Sequence, residues 1–152
     1  MAILKIVKKG TDEEFLRKKS RPVEQITPRI KTLLDDMIQT MRHANGCGLA
    51  AVQVGVLRRV VVIETPEGLF ELINPRIIAT AGTQESEEGC LSVPNEWGIT
   101  RRPMYVTARA LNRDGEEYEI KAQGLLAKAI CHELDHLDGI LYTDKVIKKI
   151  ED

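Results

Sequence analysis

The strongest constraint on this chain is the segment His132-Glu133-Leu134-Asp135-His136, because its polar residues lie within a stretch of helical apolar spacing. That spacing predicts a buried helix from Gly124 to Asp138. Residues four apart lie on one helix face, so both imidazoles can point at one metal ion. Glu133 follows His132 and can reach a water at such an ion as a general base. The segment therefore predicts a helix that carries a metal site.

A third protein ligand is needed before two histidines make a catalytic site with one open position. Zinc peptidases with the H-E-x-x-H pattern take this ligand from downstream, but the acids beyond His136 match neither spacing typical of them. Upstream lies Cys90, within Glu88-Gly89-Cys90-Leu91-Ser92. By itself a cysteine is more often a small buried residue than a ligand. Beside a helix with two histidines, Cys90 becomes the favoured third ligand, since a thiolate binds soft metals well.

A glycine-rich segment, Gly46-Cys47-Gly48-Leu49-Ala50-Ala51-Val52-Gln53, is the third feature of interest. Its glycines and alanines allow another chain to approach the backbone closely. The Gln53 amide is a neutral donor that could face a developing oxyanion. The alternative is a loop that ends the preceding helix, with Gln53 on the surface. Taken alone, the segment favours that alternative.

The rest of the pattern predicts an α+β fold, with antiparallel strands packed around the C-terminal helix. A first helix is expected over 27–44, where Thr27 can cap and Pro28 suits the first turn. Strands are expected over 59–63, 69–73, 76–81, 104–111 and 117–121, the last two joined by a hairpin at Asn112-Arg113-Asp114-Gly115. We find no repeat or linker, so residues 1–152 are expected to form a single domain.

Charge and composition narrow the class of protein. The net charge is −1 over 152 residues, which gives no global attraction to nucleic acid or to an anionic membrane. The N-terminus lacks the apolar core of a signal peptide, and no apolar run approaches the roughly 18 residues that span a bilayer. The three cysteines are an odd number without an export signal, which favours free thiols. We therefore expect a cytoplasmic protein.

Together the three segments resemble the peptide deformylase family, whose motifs are G-x-G-L-A-A-x-Q, E-G-C-L-S and H-E-x-D-H. All three occur here without a mismatch and in the family's order, and the likeness extends over nearly the whole chain. The resemblance implies a metal-dependent hydrolase that removes the formyl group from the N-terminal methionine of new polypeptides. Its substrates would be N-formylmethionyl nascent chains.

The family pattern assigns roles to the matching positions. Cys90, His132 and His136 would hold one divalent metal ion, with Fe²⁺ as the natural ion and Zn²⁺, Ni²⁺ or Co²⁺ as substitutes. Glu133 would accept a proton from water and pass it to the departing amine. The Leu91 backbone N–H and the Gln53 side chain would donate to the formyl oxygen as its charge develops.

Candidate substrate contacts follow from the same segments. Leu125 and Ala129 lie two turns and one turn before His132, where they could wall a methionine pocket or simply pack in the core. Cys47 would lie opposite, and backbone groups of Cys47, Gly48 and Gly89 could pair with the substrate as an added strand.

Some family members dock on ribosomes with a long basic C-terminal helix. Here only Lys148 and Lys149 form a basic cluster, so a transient ribosome contact stays open.

Two rival functions remain at this stage. One is a zinc peptidase of the H-E-x-x-H type. The other is a binding module with a closed structural metal site that recruits Cys131 or Cys47 as a fourth ligand. Two further residues have open roles. Asp135 could orient a neighbouring group or be a surface charge, and Arg102 could pair with an acid, contact the substrate or lie on the surface.

Overall fold

The computed structural model describes residues 2–150, so Met1 and the acidic pair Glu151 and Asp152 lie outside the described residues. Its helices are α1 (Lys9–Leu16), α2 (Pro28–His43) and α3 (Gly124–Leu137), with short 3₁₀ turns at Ala51–Val54 and Tyr142–Asp144. Within the described part of the chain, no helix is both long and apolar enough to cross a lipid bilayer.

Eight strands form two antiparallel sheets. The five-stranded sheet has the order β1-β2-β3-β6-β7, and the three-stranded sheet has the order β4-β5-β8. The strands are β1 (Gly48–Ala50), β2 (Val60–Thr65), β3 (Gly68–Ala81), β4 (Gln84–Cys90), β5 (Val93–Arg102), β6 (Tyr105–Leu111), β7 (Glu117–Gln123) and β8 (Val146–Ile150). Strands β1 and β4 each lie at an edge of their sheet.

The predicted α+β class with antiparallel strands around a C-terminal helix is confirmed. Thr27 caps α2 by accepting a hydrogen bond from the Ile30 N–H at 3.4 Å. The two strands expected over 69–73 and 76–81 are one continuous strand, β3, with a register shift between them. Asn74 allows this shift, because it adopts a left-handed φ of 51° and its side chain bonds both backbone groups of Val23.

The strands β4, β5 and β8 were not predicted individually. Their charged and polar residues, such as the run Gln84-Glu85-Ser86-Glu87-Glu88, lack the alternation of apolar residues that indicates a strand. In the fold, β4 and β5 form a long hairpin, and β8 pairs with β5 on its other side. Pairing with β5 supplies the backbone hydrogen bonds of β4 and β8, and the local sequence pattern does not reveal this pairing.

Helix α3 lies at the centre of the fold. It packs against β1 and β2, and most of its residues are buried, including His132, Glu133 and His136. Buried apolar residues of the five-stranded sheet, including Val61 and Ile63, pack against its apolar face, which includes Ile130. The helix is thus held rigidly by packing, although it carries three polar side chains into the interior.

The N-terminal segment holds the end of α3. The Ser20 N–H donates to the Leu137 carbonyl at 2.8 Å, and the Arg59 guanidinium donates to the same oxygen at 3.1 Å. Directly after the helix, Gly139 adopts a left-handed φ of 76°, and its Cα lies against the carbonyl group of Arg17. A Cβ at Gly139 would collide with that carbonyl.

We predict that Gly139→Ala destabilises the protein by about 3 kcal/mol, because it adds a backbone collision to a strained left-handed alanine. Gly55→Ala is the matched control. Gly55 has a similar φ of 85°, but the space around it is open. This control should cost only about 1 kcal/mol, the strain alone. The midpoint of urea unfolding measures both free energies. Equal costs would contradict the role given to the Arg17 contact.

Candidate metal centre

One cluster of side chains that could hold a metal ion links α3 to the three-stranded sheet. Cys90 is the last residue of β4, and His132 and His136 lie on α3; their ligand atoms all lie within 4.8 Å of one another. The Cys90 Sγ is 3.3 Å from the His136 Nε2. Both histidines are buried, while Cys90 is partly accessible. The three residues predicted as ligands are therefore neighbours.

The donor set fits a divalent transition metal. One thiolate and two imidazoles are ligands that Zn²⁺, Fe²⁺ and related ions accept, and three protein ligands leave a position open for chemistry. The neighbouring Glu133 Oε1 is buried without a hydrogen-bond partner among residues 2–150. A buried carboxylate oxygen in this state calls for a ligand or water in the adjacent space.

Glu133 lies beside this cluster with the properties of a proton carrier. Its Oε2 is 3.9 Å from the His132 Nε2, and the residue is 4 % exposed. Burial raises the pKa of Glu133 to about 7, although the charge of His132 opposes the rise. A carboxylate with such a pKa can both take up and release a proton at neutral pH.

A buried carboxylate orients one of the histidines. The His132 Nδ1 is 2.6 Å from the Glu88 Oε2. Burial alone would raise the pKa of Glu88, but hydrogen bonds from His132 and Arg102 hold it well below its ordinary value. The ionised Glu88 can only accept, so Nδ1 carries the proton and donates. This leaves the His132 Nε2 free to bind a metal ion.

Arg102 extends this arrangement. Its guanidinium donates to the Glu88 Oε2 at 2.6 Å and to the Asp135 Oδ2 at 2.7 Å, and the Thr100 hydroxyl donates to the Glu88 Oε1 at 2.7 Å. Arg102 and Glu88 are only 5 % and 4 % exposed. Asp135 therefore pairs with a buried arginine, and Arg102 pairs with two acids and is not a surface residue.

Sequence reasoning did not identify Glu88 as the partner of His132. Glu88 stands two residues before Cys90, but β4 lacks a recognisable strand pattern and its register with β5 shifts between these two residues, so spacing alone did not place Glu88 beside the histidines. The available signal is chemical: a buried carboxylate needs a partner, and a histidine of the facing helix provides it.

Gln53 is buried at the same centre. Its amide nitrogen donates to the Ser92 hydroxyl at 3.1 Å and lies 3.5 Å from the Cys90 Sγ, while its Oε1 accepts from the Ala50 N–H at 2.9 Å. The residue is 1 % exposed, so the alternative of a surface glutamine is wrong. Its N–H groups are held beside the sulfur of Cys90.

A cavity of about 460 Å³ opens onto the cluster. The positions predicted to contact substrate or to act in catalysis all border it: Cys47, Gly48, Gln53, Gly89, Leu91, Leu125, Ala129 and Glu133. Trp97 forms part of its rim and is 53 % exposed. The Cys47 carbonyl already accepts a hydrogen bond from the Glu64 N–H at 2.8 Å, so it is used within the sheet.

A larger groove of about 660 Å³ lies elsewhere, between α2 and the turn that joins β6 and β7. Among residues 2–150, neither a histidine nor a cysteine lines it. Its charged residue Arg113 is paired with Asp35 and Glu71, so these charges satisfy one another. This groove offers no chemistry comparable to the cavity beside Cys90.

We predict that Glu88→Gln lowers the affinity for Zn²⁺ about 10- to 100-fold, because an uncharged amide orients His132 less well and makes its Nε2 a weaker ligand. Competition with a coloured chelator measures this affinity. Glu85→Gln is the control in the same strand, since Glu85 pairs with Arg101 at the surface, 3.1 Å away. An unchanged affinity in Glu88→Gln would contradict the orienting role.

Comparison with known proteins agrees with this geometry. The sequence pattern of the polypeptide deformylase family matches residues 3–151. A peptide deformylase of Acetivibrio thermocellus is 58% identical over 140 residues, which cover 92% of this chain and 82% of that protein. A peptide deformylase of Caldicellulosiruptor bescii is 53% identical over 152 residues, 100% of this chain and 90% of the other.

Solved structures show the same fold. The crystal structure of peptide deformylase from Thermotoga maritima superposes with a TM-score of 0.91 at 35% identity, covering 96% of this chain and 99% of that one. The match of the family pattern spans nearly every residue, and the relatives are similar in length. The chain therefore belongs to the polypeptide deformylase family.

Proposed function

We propose that this chain removes the N-formyl group from the N-terminal formylmethionine of newly synthesised polypeptides and releases formate. The observation that carries the proposal is the meeting of Cys90, His132 and His136 beside Glu133, at the floor of an open cavity. Membership of the polypeptide deformylase family supports the choice of substrate. We further infer that residues 1–152 act as one catalytic domain, because both sheets contribute residues to this cavity.

The residues that would hold the metal ion are Cys90, His132 and His136. A divalent ion bound there supplies a Lewis acid that lowers the pKa of water and polarises a carbonyl group. We propose Fe²⁺ as the natural ion, with Zn²⁺, Ni²⁺ or Co²⁺ as substitutes, since the thiolate and imidazole set accepts all four. Metal supply in the cell then determines which ion is bound.

Glu133 would move the protons of the reaction. Its carboxylate takes a proton from the attacking water and later delivers it to the nitrogen of the departing methionine. The buried, unpartnered Oε1 supports this role, because it has no competing hydrogen bond among the described residues. After the C–N bond breaks, the products are formate and a free amine.

The Leu91 backbone N–H and the Gln53 amide would stabilise the negative charge that develops on the formyl oxygen. Gln53 is suited to this task because its Oε1 is fixed by the Ala50 N–H, which prevents the amide from turning over. A donor that is already in position costs no reorganisation during the reaction. One such donor is typically worth about 3 kcal/mol of transition-state stabilisation.

The substrate chain would lie between the two sheets. Strands β1 and β4 are both sheet edges and both border the cavity, through Gly48 and Gly89. An extended peptide could therefore add to these edges by backbone hydrogen bonds. Leu125 and Ala129 would contact the methionine side chain, with Cys47 opposite. Because the Cys47 carbonyl is already bonded, Gly48 and Gly89 would supply most of the pairing.

We place the reaction in the cytoplasm, where reducing conditions would keep the free thiols of Cys47, Cys90 and Cys131 available. A transient contact with the ribosome stays a prediction. Exposed Lys148 and Lys149 of β8 are the basic pair that could take part in it.

A closed structural metal site is the weaker alternative. Such a site needs a fourth protein ligand, and Cys131 is a poor one. It lies in the apolar core, where burial raises the pKa of its thiol to about 11 and opposes formation of a thiolate. Among the residues that the structure describes, the candidate ligand group contains only Cys90 and the two histidines.

A formylated tripeptide distinguishes deformylation from peptidase action. We expect the protein, purified without oxygen and loaded with Fe²⁺, to release formate from formyl-Met-Ala-Ser and leave the tripeptide intact. Mass spectrometry and a coupled formate assay measure the two products. The matched control is acetyl-Met-Ala-Ser, which should react far more slowly because its extra methyl group crowds the carbonyl carbon. Cleavage of an internal peptide bond would instead support a zinc peptidase.

Glu133→Ala should retain the metal ion and lose nearly all turnover, because it removes the proton carrier and none of the ligands. We expect kcat to fall at least about 1000-fold, the upper part of the range for general acid–base catalysis. Metal content per chain is determined by elemental analysis. Cys90→Ala is the contrasting variant, since it should lose the metal itself. Substantial formate release by Glu133→Ala would refute its assigned role.

A further inference from the structure

Three glycines of the candidate site lie against side chains of this same chain. A Cβ at Gly46 would lie 2.7 Å from the Leu91 Cδ1, and one at Gly89 would lie 2.6 Å from the Trp97 ring. At Gly48 the nearest atom is the Glu133 Oε2, also at 2.6 Å. The sequence suggested that the glycines at 46 and 48 make room for another chain. In the fold, side chains of the protein take up part of this room.

Gly48 has no conformational need to be glycine. It lies in β1, paired with Ile63 of β2, and it is not among the glycines with a left-handed φ. Alanine fits a strand backbone without strain. The remaining reason for glycine is space, because a Cβ would also lie 3.0 Å from both the Cδ and the Cγ of Glu133.

Glu133 needs such a support more than most carboxylates do. Its Oε1 has no hydrogen-bond partner within residues 2–150, so no fixed donor aims that oxygen. Donors would orient the carboxylate, but they would also occupy its lone pairs. A backbone surface without a side chain can orient the group by contact alone and leave its oxygens free for protons.

From these contacts we infer that Gly48 is a positioning residue for Glu133: its bare Cα is the surface against which the carboxylate is held toward the cavity. The inference rests on the proposed function, in which Glu133 carries the proton. The backbone of β1 is held in its sheet by the ladder with β2, in which Gly48 is paired with Ile63. An added methyl group must therefore push the carboxylate out of place.

Gly48→Ala tests this inference directly. We expect kcat for formate release to fall about 100-fold, the cost of a displacement near 1 Å in a reacting group. KM and metal content should change little, because the peptide groups of β1 and all three ligands remain. A loss expressed mainly as a higher KM would assign Gly48 to substrate binding only and overturn the inference. So would a kcat close to that of the wild type.

A second test shortens the side chain at position 133 by one methylene group. Glu133→Asp withdraws the atoms that contact Gly48 most closely, and its turnover is expected to be weak but measurable. In that background Gly48→Ala should lower kcat only slightly further, because residues in contact give non-additive effects. If Gly48→Ala lowered kcat about 100-fold both in the wild type and in the Glu133→Asp variant, the contact would not be responsible and the inference would be overturned.

Gly46→Ala is the matched control two residues earlier in the same segment. The atoms nearest to its Cβ all belong to Leu91, so its cost should be the same with Glu133 and with Asp at that position. Relief of Gly46→Ala by Glu133→Asp would mean that the aspartate acts on the whole segment, which would also overturn the assignment to Gly48.

A stability comparison keeps the inference testable without activity. The test applies even if Gly48→Ala does not fold or if the wild type releases no formate. In either case the Tm of the Glu133→Ala variant is compared with the Tm of the double variant that carries both Glu133→Ala and Gly48→Ala. Equal Tm values would support the contact, because the colliding carboxylate is gone. A Tm lowered in the double variant would overturn it. Failure of the proposed function, in which the wild type releases no formate, is thus distinct from failure of this contact.

Discussion

The hydrogen bond between His132 and Glu88 is the interaction on which the architecture of the site depends. It joins α3, the central helix of the fold, to β4 of the smaller sheet. The His132 Nδ1 and the Glu88 Oε2 are 2.6 Å apart, and both residues are buried. Two polar groups at such a depth are costly unless each satisfies the other. This hydrogen bond offsets the cost of burial. It also determines which nitrogen of His132 faces the cluster with Cys90 and His136.

The two sheets contribute different components to one cavity. The five-stranded sheet packs against α3 and holds the histidines and Glu133 in a rigid apolar setting, while the three-stranded sheet contributes Cys90 and Glu88. Arg102 neutralises the excess of buried negative charge by binding both Glu88 and Asp135. Rigid strands and a buried helix hold reactive groups within narrow limits, which catalysis by positioned groups requires.

Positioning is achieved in two ways within a few ångströms. His132 and Gln53 are oriented by hydrogen bonds, which determine that His132 presents its Nε2 and that Gln53 presents its amide nitrogen and not its oxygen. Glu133 rests against the Cα of Gly48, and burial keeps its pKa near 7. The difference follows from the chemistry: a group that exchanges protons works best with free lone pairs, whereas a ligand works best with its orientation fixed.

Local periodicity and turn residues were enough to predict the helix that bears the two histidines, the capped helix α2, the β6–β7 hairpin and the α+β class. The sequence also indicated Cys90, through the chemistry that two histidines leave incomplete. Tertiary structure alone decided that β4 and β5 pair, that Glu88 meets His132, and that Glu133 fills the space beside Gly48. The last two contacts join residues more than forty positions apart, and no local pattern encodes the distance between two groups that only the folded chain brings together.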